Sequence, residues 1–474
     1  MSRRRVSIAG VACAIGLFAG SLAVPAAAFA GPTDTALVSV TPSQCTPTVH
    51  PATEPFTGAE VKAVFAQTVS GSTVYVGGTF DTVTERAGCG SAGRTLTRHN
   101  IFAYNLATGA VSDTFAPATD GPVRSMMMSA TGTLVYACGN FSTAAGQARK
   151  GLAKFGLDGA LNSFDAHLNG QCFDTALSGG YLYVGGTFTY PHPGLTVVSQ
   201  TSGARMAYDT VTLSGSATSS TASPKVQRLG ASPDRKTLIV EGNFGKANGL
   251  SHPQAVMIST GTTATVAAWR APLLDKACST QYPGYLRVVS WSPTGTWFVL
   301  AGTGGAHHDT LCDAAARFDF QPSNSAQAPT WIQYTGGDSI FGGVVTGAAV
   351  YLGGHFHWAD NPPIWPQIHS DTCNGNGITG GMWAGYNCKG PNAVDRPGIM
   401  AVDVNTGKAL PWNPTRSLLV GARSLVVVPP TTTSAGGLLV GSDGPYLGCA
   451  TPNGVDCTGV TSSYVGGEGF LPSS

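Results

Sequence analysis

One short pattern recurs along most of this chain and limits what it can fold into. It is an apolar strand that ends in two small residues, followed by a polar residue and an aromatic. The copies are Val74–Phe80 (VYVGGTF), Val135–Phe141 (VYACGNF), Leu182–Phe188 (LYVGGTF), Leu238–Phe244 (LIVEGNF), Phe298–Gly304 (FVLAGTG), Val350–Phe356 (VYLGGHF) and Leu438–Gly444 (LLVGSDG). The second glycine position falls at 78, 139, 186, 242, 302, 354 and 442, so the intervals are 61, 47, 56, 60, 52 and 88. Such a period suits one supersecondary unit per copy, and the last interval holds an insertion.

Each copy has the same surroundings. Upstream, a strand runs into a tight turn, as at Ser129-Ala130-Thr131-Gly132, Ser178-Gly179-Gly180, Ser232-Pro233-Asp234-Arg235 and Ser292-Pro293-Thr294-Gly295. Downstream comes a third strand, as at Leu152–Phe155, Ala315–Phe318 and Ile399–Val402, and then a turn such as Asp158-Gly159 or Asn405-Thr406-Gly407. A short element with one aromatic closes the unit: Phe115, Phe164, Trp269, Trp331 or Trp412. No copy carries a helical period. Units of about four strands cannot bury both faces alone, but arranged radially they bury them against neighbours and leave short edges. The expectation is all-β: a seven-bladed β-propeller of four-stranded blades. A β-solenoid or a pair of sandwiches is the alternative, and the regular spacing argues against both. The paired glycines should allow a close backbone approach or a bulge. Residues around 55–70 are expected to complete the ring with the first or last blade.

The copies resemble the delta-60 repeats of secreted actinobacterial β-propeller proteins. The second copy carries the likeness best, through Tyr136, Gly139, Asn140, Phe141, Gly146, Gln147, Arg149, Leu152, Ala153, Phe155, Gly159, Leu161 and Phe164. The resemblance spans roughly 61–445. It implies a propeller and a secreted protein, and no set of catalytic residues comes with it. The fifth and seventh copies depart from the pattern, with Gly304 and Gly444 in place of the phenylalanine.

The N-terminus reads as a secretory signal over residues 1–30. Arg3, Arg4 and Arg5 precede an apolar stretch from Val6 to Val24, and Ala28-Phe29-Ala30 fits a cleavage site. The general secretory route is preferred over the twin-arginine route. An N-terminal extension over 31–54 and the propeller over 55–474 would follow. No other stretch is apolar enough for a membrane helix, and no surface anchor is visible at the C-terminus. Cys13 would leave with the signal. The even set of Cys45, Cys89, Cys138, Cys172, Cys278, Cys312, Cys373, Cys388, Cys449 and Cys457 remains, and disulfides between neighbours in sequence are expected. No C-x-x-C spacing suggests zinc.

Composition narrows the function. Charged residues make up 11% of the chain, well under the usual share of about 25%. Without the three leader arginines, 23 basic residues face 25 acidic ones. That balance excludes a basic nucleic-acid binder and a charge-rich disordered chain. No G-x-S-x-G, H-E-x-x-H, phosphate loop or dinucleotide fingerprint is present.

The insertion over about 358–396 is the first candidate for recognition. Trp358, Trp365, Trp383 and Tyr386, on a loop closed by Cys373 and Cys388, suit stacking on sugar rings or anchoring a partner. Self-packing of the same aromatics is the plainer reading. His355 and His357 share one face of a strand and, with Asp360 or His369, could hold a divalent metal. No cofactor is expected otherwise. For a propeller hydrolase or lyase, Asp174, Glu241, Asp309 and Asp360 would have to converge at one mouth; Asp443 is a further loose candidate. Lys62, Arg124, Arg228, Arg287 and Arg423 stand near the starts of strands that precede the hairpins. On innermost strands they could ring a channel mouth and favour an anionic ligand. The expected function is non-catalytic binding of an extracellular glycan or protein partner by a monomer. The alternative is a glycoside hydrolase or polysaccharide lyase using those carboxylates.

Overall fold

The computed structural model describes residues 36–49, 63–217, 222–276, 278, 285–304, 310–362, 389–390, 392–414, 421–430, 436–443, 446–447, 463–464 and 467–473. The expected signal, Lys62, Asp309, Trp365, His369, Trp383, Tyr386, Cys373, Cys388, Cys449 and Cys457 lie outside them.

Each glycine-marked segment is the second strand of an antiparallel sheet. These strands are Thr73–Thr79, Leu134–Gly139, Tyr181–Gly186, Thr237–Gly242, Trp297–Thr303, Val350–Gly354 and Gly437–Ser442. The strand before each one is the first of its sheet: Ala63–Ser70, Val123–Met128, Cys172–Ser178, Val226–Ala231, Tyr285–Trp291, Ile340–Val345 and Ala422–Val428. These first strands pack one against the next around a ring, and the last packs against the first. The fold is a β-propeller, with the first strands around the axis.

The second strands are apolar on both faces because each sheet lies between two others. The core therefore sits between sheets. Tyr75, Ala103 and Phe115 of the first sheet region pack with Val123, Val135 and Phe141 of the second. Leu439 and Phe470 of the last sheet pack with Val64 and Val74 of the first. Burial of this apolar surface is the main driving force for closing the ring.

The fourth strand is shorter than expected in most sheets. A full one, Ala264–Val266 or Trp331–Tyr334, occurs in two sheets. In four others the element shrinks to a single bridge: Tyr104 with Val111, Phe155 with Leu161, Val198 with Arg205, and Val402 with Ala409. In the first sheet, Asn105 accepts from the amides of Ala107 and Thr108, and Gly109 turns back at φ 67°. A β-carbon on Gly109 would also collide with the Cys45 carbonyl oxygen. In these sheets the chain bridges the third strand once before its aromatic turns inward; Phe115, Phe164 and Trp412 are all buried.

Residues 38–49 join the last sheet to the first; of the expected stretch 55–70, residues 55–62 lie outside the described residues. Ser39 and Ser43 donate backbone bonds to Pro472 and Phe470 at 2.8 and 2.7 Å, and Val38 bridges Ser473. Farther on, Thr48–Val49 pairs with Thr82–Thr84 after the first sheet. This one segment thus straddles the last and first sheets. Residues 63–70 of the expected stretch form the axial strand of the first sheet, in keeping with its assignment to the first or last blade.

Three disulfides join sequence neighbours, as expected: Cys45–Cys89, Cys138–Cys172 and Cys278–Cys312. The second links the middle strand of one sheet to the axial strand of the next. No helix among the described residues is long and apolar enough to cross a membrane.

Candidate functional site

The seven axial strands share one irregularity. Each slips register by one residue near its start, opposite the two glycine positions of its partner strand. The slip falls between Val64 and Ala66, Val123 and Ser125, Cys172 and Asp174, Val226 and Arg228, Leu286 and Val288, Ile340 and Gly342, and Ala422 and Ser424. The residue before each slip pairs with the second glycine position, and the residue after it pairs with the first. The glycines are needed there. A β-carbon on Gly78, Gly139, Gly186, Gly242 or Gly354 would strike a carbonyl oxygen of the axial strand or of the residue just before it. A bulge leaves its extra residue outside the ladder and re-aims its side chain.

Those extra residues are Phe65, Arg124, Phe173, Gln227, Arg287, Phe341 and Arg423, in order around the axis. All seven line one cavity of about 320 Å³ at the starts of the axial strands. Phe65 is buried and the other six are half-buried. Gln171, Lys225 and Arg228 complete the lining. A deeper recess of about 150 Å³ shares part of this wall and adds Ser125, Asp174 and Ser424. Asp174 is the only acidic side chain among the described residues lining either space, against four arginines and Lys225.

The arginines are held by aromatic faces and by each other's strands. Arg124 lies 5.5 Å from the Phe65 ring centre and 5.9 Å from that of Phe173. Arg423 lies 5.3 Å from Phe65 and 5.0 Å from Phe341. Phe65 is thus flanked by two guanidinium groups. Arg228 donates through Nε to the Arg287 carbonyl at 3.0 Å, and Arg287 donates to Gln227 Oε1 at 3.2 Å. Contacts with ring faces and backbone or carboxamide oxygens orient a guanidinium.

Beneath the arginines, Asp174 is buried and fixed. Its Oδ1 accepts from Ser125 Oγ at 2.6 Å and from the Thr175 amide at 2.9 Å, and its Oδ2 accepts from the Leu229 amide at 3.0 Å. Glu241 replaces the first glycine of its copy and pairs in register with Arg228. It is fully buried, and neither carboxyl oxygen has a hydrogen-bond partner among the described residues. Burial pushes its pKa well above the usual carboxylate range. The charge of Arg228 opposes that shift, and Asp174 adds to it.

The other sequence candidates among the described residues do not line this site. Asp360 sits beside the sixth sheet, accepting from Gln333 Nε2 at 2.8 Å and from the Ala409 amide at 3.2 Å. His355 lies 3.9 Å from Asp338 and edge-on to Phe341 at 5.2 Å. His357 packs against Trp358 at 5.4 Å, and burial lowers its pKa. Among the described residues, no three His, Cys, Asp or Glu side chains gather as a metal site would require. Trp358 is buried in the short strand Trp358–Ala359, so its ring serves packing. Asp443 is buried too, accepting from the Gly421 amide at 2.9 Å.

The arrangement defines a β-propeller whose channel mouth is cationic and partly aromatic. No family model and no curated protein matches the chain. Solved structures similar to it include "Structure of U3-55K", at TM-score 0.40 and 9% identity, covering 91% of this chain and 99% of that one. Another is "Crystal structure of RRP9 WD40 repeats", at TM-score 0.41 and 9% identity, covering 91% and 98%.

Proposed function

We propose that this is a secreted, seven-bladed propeller of four-stranded blades that binds an extracellular glycan or protein partner without catalysis, and that it does so through an anionic group held at the channel mouth. The carrying observation is the ring of bulged residues, which aims three arginines into one cavity with a fourth, Arg228, beside them. Secretion is supported by the leader-like N-terminus and by the three disulfides. Binding without chemistry is supported by the carboxylates. A glycosidase sets two of them facing its substrate, whereas Asp174 is the one acid among the described residues that lines the recess adjoining this cavity, and Glu241 is fully buried.

The test is calorimetric titration of the purified protein with acidic and neutral oligosaccharides and an acidic peptide, with product analysis on the same samples. An acidic ligand should bind, more weakly in high salt. Arg287→Gln with Arg423→Gln should weaken it by about a hundredfold, since each charged hydrogen bond lost is worth roughly 1.5–3 kcal/mol. Unchanged binding by the double variant would overturn the reading. So would cleavage of the ligand. Loss of binding on replacing 363–388 with a short Gly/Ser linker would move the site to the insertion.

A further inference from the structure

We infer that the group received at the mouth is a sugar acid: one hydroxylated ring bearing a carboxylate. This rests on the reading above that the mouth holds an anion, and it names which anion.

Size comes first. A cup of about 320 Å³ enclosed by a ring of strands admits a small group or a chain end, not a folded surface. Charge comes next. The planar guanidinium fork matches a carboxylate with two parallel hydrogen bonds. Arg124 and Arg423 are oriented by the phenylalanines beside them.

Two further features separate a sugar acid from a bare anion. Asp174 lies in the recess under the arginines and repels anionic oxygen. With three bonds accepted, its carboxylate retains about one of roughly four acceptor sites. A ligand reaching it must present a donor such as a hydroxyl. Gln171 and Gln227 offer carboxamides on the wall above, suited to hydroxyls that both donate and accept. Sulfate brings no such hydroxyls, and neither does the carboxylate side chain of an acidic peptide. Phe173 and Phe341 are half-buried on the wall and suit the C–H face of a pyranose. Anion, hydroxyls and an apolar ring face together describe a uronate-type residue.

The experiment titrates the full chain with five probes: a glucuronate-terminated trisaccharide, its carboxyl-reduced neutral form, free glucuronic acid, a sulfated trisaccharide without uronate, and a glutamate-rich peptide. The uronate trisaccharide should bind, and the neutral form should bind at least about fiftyfold more weakly, in line with the loss of a charged bidentate contact. Free acid as tight as the trisaccharide would identify a free sugar acid; much weaker free acid would identify a glycan end. Asp174→Asn should weaken the uronate by about tenfold while leaving sulfate binding equal or tighter, because a repelling charge is gone. Gln227→Ala, on the cavity wall, should also weaken the uronate and serves if the buried variant fails to fold. Preference for the sulfated sugar or the peptide would overturn the sugar acid while sparing the anionic mouth. Uronate binding that ignores Gln227→Ala and a folded Asp174→Asn would overturn it too. Failure of every anion would sink both readings.

Discussion

Glu241 and Glu468 are both fully buried, at the same level of the propeller, one residue row below the bulges. Glu241 stands at the first glycine position of its copy. Glu468 pairs with Gly441, the first glycine of the last copy. The corresponding third-strand residues elsewhere are apolar: Ile101, Leu152, Leu195, Ala255, Ala315 and Ile399. Their surroundings differ. Glu468 accepts from Tyr104 Oη at 2.9 Å and from Gln67 Nε2 at 2.7 Å, both from the first sheet. It is a joint between the last sheet and the first, with its pKa pushed up to about 8 by burial against the pull of those two bonds. Glu241 has no hydrogen-bonding partner among the described residues and feels Arg228 and Asp174 of the mouth through their charges. Burial alone therefore assigns no role to an acid. The donors around it separate a structural joint from a group tied to the binding site.

That contrast can be broken by titration. Burial raises the pKa of both carboxyls, so over the intervening pH range the folded state binds protons that the unfolded chain releases. Stability is fully present below the unfolded-state pKa of about 4.5 and falls as pH rises; for Glu468 the loss is complete near pH 8. Denaturant midpoints measured from pH 5 to pH 9 should fall by an amount equivalent to several kcal/mol, at about 1.4 kcal/mol per pKa unit. Glu468→Gln should remove that residue's share of the fall between pH 5 and pH 8 and leave the share of Glu241. An unchanged slope in that variant would assign the loss elsewhere.

Apolar replacement gives the next effect. Glu468→Met should cost about 3 kcal/mol at pH 6, because it orphans the Tyr104 hydroxyl and the Gln67 carboxamide. Glu241→Met removes a group with no described hydrogen bond and should change stability by less than about 1 kcal/mol, in either direction. Equilibrium unfolding of the two variants side by side decides the matter. Equal losses would erase the distinction between joint and site.

Much of the scaffold was readable from residues alone. The glycine-ended strands announced the second strand of each sheet that contributes an axial strand, and the apolar run before each glycine pair reflects burial on both faces. Disulfides between neighbours followed for the three described pairs. The closing segment was not readable. Residues 38–43 have no strand alternation, and their partners lie more than 400 positions away at 470–473. The site was readable only in part. Charge pointed to Arg124, Arg228, Arg287 and Arg423, but nothing marked Phe65, Phe173 and Phe341 as their neighbours. The interval from the bulged residue to the second glycine position runs from 13 residues, Phe65 to Gly78, to 19, Arg423 to Ser442, because the hairpins between them differ in length. No fixed offset finds the ring. It emerges once the ladder registers are known.

The bulges have a consequence for how such a protein can change. A residue outside the ladder has no partner across the sheet, so its identity is not dictated by the pairing that holds the blade together. The mouth is a seven-letter word, spelled here Phe-Arg-Phe-Gln-Arg-Phe-Arg, written on a frame that does not depend on the spelling. Selection, or a library randomised at those seven positions, could rewrite the ligand preference letter by letter while the glycines behind keep every strand in step.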